Sequence, residues 1–112
     1  MNTNTFSALA EPNRMRIVEL LRDGPRPVGE IARRLNLRQP QASKHLRVLS
    51  QAGIVLVQPV AQQRFYRLKP APFKEMGSWV ETFHRLWEER LDVLEDYLQE
   101  LKAAQKGEDD QP

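Results

Sequence analysis

The chain contains no cysteine, which excludes disulfides, thiolate metal ligands, zinc fingers and cysteine nucleophiles. Histidine is nearly as scarce, with only His45 and His84 available for general acid–base work. The five glycines are scattered singly, so no Gly-rich phosphate loop exists, and the carboxylates gather along one helical stretch rather than among convergent partners. These absences favour a binding protein over an enzyme and imply no cofactor. No run of about 18 apolar residues occurs, and Met1 to Ala10 lacks a basic start followed by an apolar segment. Neither a membrane span nor a signal peptide is expected, and the chain is read as cytoplasmic.

What is present is a charge division. The net charge of +2 hides twelve Lys/Arg against four Asp/Glu in residues 1–69, net +8, and five against eleven in residues 70–112, net −6. A basic segment beside an acidic one suits a polyanion-binding part joined to a part that avoids the polyanion, and nucleic acid is the obvious polyanion. At 112 residues the chain supports one ordinary domain with a modest core, which oligomerisation would reinforce.

The stretch Gln39 to Gly53 reads as a helix marked at both ends. Gln39 serves as cap, Pro40 suits the first helical position, and Gly53 can take the left-handed conformation that closes a helix. Ala42, Leu46 and Leu49 share one side, while Ser43, Lys44, Arg47 and Gln51 fall on the other. A helix offering Arg, Lys, Ser and Gln from a packed base has the form that fits a DNA major groove. Before it, Val28, Ile31, Ala32 and Leu35 mark a short helix, and Asn36-Leu37-Arg38 makes a three-residue turn. Two further helices are expected upstream. One spans Asn2 to Ala10, with Thr3, Asn4 or Thr5 as cap and Phe6, Leu9 and Ala10 as its apolar face. The other spans Pro12 to Asp23 and turns Arg14, Arg16 and Arg22 outward, for phosphate or for solvent. Gly24-Pro25 ends the second helix, and Arg26-Pro27 continues that break.

Downstream, Ile54-Val55-Leu56-Val57 and Arg64-Phe65-Tyr66-Arg67-Leu68 read as two strands of a hairpin. Pro59 in the connection Gln58 to Gln63 predicts a tip longer and looser than a two-residue turn. Gln62, Gln63 and Arg64 would lie near that tip, within reach of a phosphate or minor groove. Lys69-Pro70-Ala71-Pro72 then separates the hairpin from a helix over Phe73 to Ala104. Its apolar residues Phe73, Val80, Trp87, Leu94 and Leu101 repeat every seven positions, Met76, Phe83 and Tyr97 follow three positions after the first, second and fourth, and Trp79, Leu86 and Val93, with Leu91 and Leu98, widen the face. Each such side chain, once buried, contributes on the order of 1.5 to 3 kcal/mol, so a symmetric pairing of two copies is the default. The predicted dimer face comprises Phe73, Val80, Phe83, Trp87, Leu91, Leu94 and Leu98.

The expected class is mainly α with a small β-hairpin: a winged helix-turn-helix with a long C-terminal dimerisation helix. One domain covers residues 1–104. Its DNA-binding core is 3–70, with the wing at 54–69, its dimerisation helix is 71–104, and residues 105–112 form a disordered acidic tail. The only metal constellation is His84 with Glu81 and Glu88 one helical turn to either side, and a solvated or interface histidine is the plainer account. His45, at the edge of the packing side, is read mainly as a helix-packing or hydrogen-bonding residue, ahead of a direct DNA contact.

Pro12-Asn13-Arg14, Val28-Gly29-Glu30-Ile31-Ala32, Gln41-Ala42-Ser43-Lys44-His45-Leu46-Arg47-Val48-Leu49, Ala52-Gly53-Ile54-Val55 and Arg64-Phe65-Tyr66-Arg67-Leu68 resemble the ArsR/SmtB winged helix-turn-helix repressors. Trp87-Glu88-Glu89-Arg90-Leu91 is similar to an autorepressor-like branch that is not defined by a cysteine metal box. The resemblance implies a homodimer that binds double-stranded DNA at an inverted-repeat operator. It places Gln41, Ser43, Lys44 and Arg47 at DNA-facing positions and Arg64 on the wing, and the helix start and hairpin tip add Gln39 and Gln63. The founding members' Cys-x-Cys metal box is absent, because the matching helix reads Glu30-Ile31-Ala32-Arg33-Arg34. A small-molecule inducer stays open. The rival from another class is a helical protein-interaction module that uses the helix-turn-helix as scaffold without binding DNA.

Overall fold

The computed structural model describes residues 2–109, with side chains to residue 106. In order it forms α1 (Thr3–Leu9), α2 (Pro12–Leu21), β1 (Arg26–Pro27), α3 (Val28–Leu35), α4 (Gln39–Gln51), β2 (Val55–Val60), β3 (Gln63–Leu68) and α5 (Pro70–Asp109). Local hydrogen bonds set the helix starts. Asn2 Oδ1 accepts from the Asn4 N–H at 3.0 Å, and Glu11 Oε2 from the Arg14 N–H at 2.8 Å, each satisfying a donor with no partner inside the helix. The cap of α1 is therefore Asn2 rather than Thr3, Asn4 or Thr5. Its buried positions are Thr5 and Ala8, and Phe6 is exposed.

The turn between α3 and α4 and the exit from α4 use one device. Asn36, at φ 55°, lets its own N–H reach Arg33 O (3.3 Å) and the Leu37 N–H reach Ala32 O (2.9 Å). Gly53, at φ 75°, repeats this with its N–H on Ser50 O (3.1 Å) and the Ile54 N–H on Leu49 O (3.0 Å). A left-handed residue followed by this bond pair closes a helix and turns the chain sharply, which fixes the angles at both ends of α4. At the start of α4 the assignment shifts by one residue. Arg38 occupies the cap position, Gln39 is already helical, and Gln41 Oε1 accepts from the Arg38 N–H at 3.2 Å.

The apolar spacings of α2, α3 and α4 converge. Ile17, Val18 and Leu21 meet Ile31 of α3, Leu46 and Leu49 of α4, and Ile54 and Val55 at the start of the wing. Leu46 and Leu49 are fully buried, as their helical spacing predicts.

The predicted hairpin is one part of a three-stranded antiparallel sheet in the order β1-β3-β2. The third strand, β1, lies where the sequence reads only as a break, and it pairs Arg26 with Tyr66 and Pro27 with Phe65. The wing tip also differs from expectation. The strands run on to Val60 and Gln63, which face one another, so the turn is just Ala61 and Gln62. Ala61 supplies the positive φ, 54°, that a tight hairpin needs and glycine usually gives, at a cost of about 1–2 kcal/mol. Pro59 is accommodated because β2 is an edge strand of the sheet.

α5 starts at Pro70, three residues earlier than expected. Both prolines fall in its first turn, where backbone N–H groups have no helical acceptor, so proline loses nothing there. The helix also runs through residues 105–109, which correct the expected tail to helix; residues 110–112 lie outside the described residues. The chain divides into two units, Met1–Met76 and Gly77–Pro112, rather than at the proline pair. Phe73 belongs to the first, where it is half-buried and packs on the core of its own domain. No helix among the described residues is long and apolar enough to cross a membrane.

Candidate nucleic-acid interface

Within the first unit, the start of α3, the first turns of α4 and the wing enclose a groove of about 560 Å³. It is lined by Pro27, Val28, Gly29 and Glu30, by Gln39 and Ser43 of α4, and by Gln62, Gln63, Arg64 and Tyr66. Four of the predicted DNA-facing residues, Gln39, Ser43, Gln63 and Arg64, are thus brought together although the chain separates the two pairs widely. Gln39 and Ser43 are one helical turn apart, and Arg64 and Tyr66 alternate to the same side of β3. The other three, Gln41, Lys44 and Arg47, are exposed on α4 but do not line the groove. Gln41 spends its carbonyl oxygen on the Arg38 N–H, which leaves its amide NH₂ as the group that can donate to a ligand. Lys44, Arg47 and Arg64 make no ion pair among the described residues, so their charges stay available to a ligand.

Other basic residues serve the scaffold. Arg14, one of the three expected to face phosphate or solvent, donates from Nε to Ala8 O at 2.6 Å and ties α2 to α1. Arg16 donates to Leu35 O at 3.0 Å, a carbonyl at the C-terminal end of α3, where a cation suits the helix dipole. Arg14→Met should therefore lower unfolding stability by about 1.5 kcal/mol, the loss of a partly buried charge-assisted bond, and leave the salt dependence of DNA binding unchanged. Urea denaturation and a salt titration check both halves. His45 keeps the packing role expected of it: it is half-buried between helices, with Nδ1 3.7 Å from Glu11 Oε2.

Two residues of the groove with polar side chains, Glu30 and Tyr66, escaped the sequence reading as site residues, as did the apolar Pro27, Val28 and Gly29. The signal for Glu30 was present as the spacing Arg26, Glu30, Arg34, four residues to each side. Tyr66 carried no signal beyond strand alternation, which leaves open which side of β3 faces the helices.

In the second unit, Val80, Phe83, Trp87, Leu91, Leu94 and Leu98 are all exposed along one chain, Trp87 to 62%. Trp79 and Phe83 stack edge to face with centroids 4.9 Å apart. The metal constellation does not converge within the chain. His84 Nε2 pairs with Glu88 at 3.0 Å, while Glu81 turns instead to Arg85 Nε at 3.7 Å. No group of three metal-ligating side chains occurs among the described residues.

A short helix, a three-residue turn, a second helix with open cations and a hairpin beside them define a winged helix-turn-helix DNA-binding module. A helix-turn-helix domain model matches residues 9–58. The transcriptional repressor SdpR of Bacillus subtilis is 31% identical over 80 residues, 71% of this chain and 89% of SdpR. Among solved structures, an ArsR family transcriptional regulator, RHA00566, superposes with a TM-score of 0.66 at 28% identity, covering 77% of this chain and 89% of that one. A homodimeric winged helix-turn-helix DNA-binding domain from Mycobacterium bovis, described as a possible ArsR-family regulator, superposes with a TM-score of 0.62 at 26% identity, covering 72% and 75%. The chain belongs to the ArsR family of transcriptional regulators.

Proposed function

We propose that this protein is a cytoplasmic, dimeric repressor that binds an inverted-repeat operator and competes there with RNA polymerase. The observation that carries the reading is the groove, which joins Gln39 and Ser43 of α4 to Gln63 and Arg64 of the wing. Lys44 and Arg47 lie beside it with no acidic partner among the described residues. In this reading Arg47 and Lys44 address guanine edges, and Ser43 and Arg64 hold phosphates. The exposed apolar face of α5 supports the dimer, since a face of that size on one helix is unstable in water without a partner. Two copies related by a two-fold axis then present their α4 helices to half-sites about 34 Å apart, one turn of B-DNA. The repressor named SdpR and the homodimeric Mycobacterium bovis domain point the same way.

Fluorescence anisotropy with DNA from the protein's own promoter region, against random duplex of equal length, tests the reading. A clear preference is expected, with log affinity falling against log salt by about 0.9 per phosphate neutralised. Arg64→Ala should weaken both duplexes about equally and flatten that slope by about 1. Equal binding to promoter and random DNA at moderate salt would reject the repressor reading in favour of a helical interaction module.

A further inference from the structure

The geometry points to Glu30 as a positioning residue that holds the wing in register with the helix-turn-helix and so sets sequence specificity. Glu30 lies in the first turn of α3, and its Oε1 takes Arg26 Nη1 at 2.8 Å and Arg34 Nε at 3.1 Å. Arg34 shares its helix. Arg26 does not: it sits on β1, opposite Tyr66 of β3 and two positions along from Arg64 at the wing tip. Its Nε also approaches Leu20 O, near the end of α2, at 3.5 Å. Glu30 and Arg26 therefore connect the helices to the middle strand of the wing.

The connection matters because β1 alone is a poor clamp. It is two residues long and one of them is Pro27, which has no N–H to give the ladder. A half-buried ion pair with a single optimum geometry adds the constraint that so short a pairing lacks. The chemistry of the groove supports the same role. Glu30 is the one carboxylate lining it, and a bare carboxylate would repel phosphate. Two guanidiniums share its oxygen, so the cluster is net positive, and the carboxylate serves to place cations rather than to meet DNA.

This inference rests on the reading of the groove as DNA-facing. Its test compares operator and random duplex at fixed salt. Glu30→Gln should lower the operator-to-random ratio roughly tenfold, the size of one lost specific contact. Binding to random duplex should hold, since on non-specific DNA the wing cation meets a phosphate in any register, whereas on the operator the displaced wing misses the one it is placed for. In double-mutant cycles the effect should be non-additive with Arg64→Ala, because a displaced wing has already lost that contact, and additive with Arg47→Ala. Simple destabilisation would not separate the two cycles. Glu30→Asp keeps the charge at the helix start but not the reach to both arginines, so it should lose specificity as well. It carries the test if Glu30→Gln does not fold. An unchanged ratio in the folded variant, or additivity with Arg64→Ala, overturns the inference alone. A wild type with no operator preference overturns the DNA reading and this inference with it.

Discussion

Trp87→Glu is expected to leave each chain folded and to abolish the dimer. The side chain is 62% exposed in the single chain and lies outside the core formed by Ile17, Ile31, Leu46, Leu49 and Ile54, so its replacement leaves that core intact. Glutamate is also a good helix former, so α5 has no local reason to break. In the proposed dimer each copy loses about 2 kcal/mol of apolar burial, and symmetry doubles the loss to about 4 kcal/mol before any carboxylate is desolvated. That corresponds to a dimer dissociation constant raised roughly a thousandfold. Operator affinity should fall with it, because a monomer reaches one half-site and forfeits the gain of binding two at once. Sedimentation velocity at micromolar protein and anisotropy on the operator measure the two effects. A variant that sediments as a dimer and binds normally removes Trp87 from the interface.

The sequence discloses the helix-turn-helix well because its signals are local. Asn36 and Gly53 mark the two left-handed closures, and Leu46 and Leu49 recur at the helical period, so each residue reports on neighbours within a turn or two. What it hides depends on distant partners. Arg26-Pro27 has neither the length nor the alternation of a strand, and becomes one only because β3 arrives beside it. Pro70 and Pro72 read as a linker because proline usually breaks helices, yet the first turn has no bonds for them to break. Phe73 fits the seven-residue repeat, and a repeat cannot tell a side chain packed on its own domain from one packed on a second copy.

The site was legible to a similar degree. Gln39 and Ser43 fall at helical spacing and Gln63 and Arg64 at the tip of a visible hairpin, but only the folded chain joins the two pairs in one groove. The arginines were the harder case. Arg14, Arg16 and Arg47 look alike in a charge count, yet the first two reach backbone carbonyls of other helices and the third has no partner among the described residues. An arginine is long enough that its role is set by what happens to lie within reach, and neighbouring letters do not record that.

For that reason Arg47→Ala is the sharpest test of the reading face. Arg47 follows Ser43 by four residues and Lys44 by three, on the side of α4 away from the buried Leu46 and Leu49. Alanine is at least as good a helix former and the position is exposed, so stability should stay within about 0.5 kcal/mol of wild type. If Arg47 makes a bidentate contact to a guanine, its loss removes about 2 kcal/mol of discrimination, a roughly thirtyfold fall in operator affinity. Random-duplex affinity and the salt slope should change little, because no phosphate has lost its cation. A phosphate contact gives the opposite pattern: operator and random duplex weaken together and the slope flattens by about 1. That outcome would move base reading to Lys44 and the groove pair Gln39 and Ser43. Unchanged binding to both duplexes would take Arg47 out of the interface altogether.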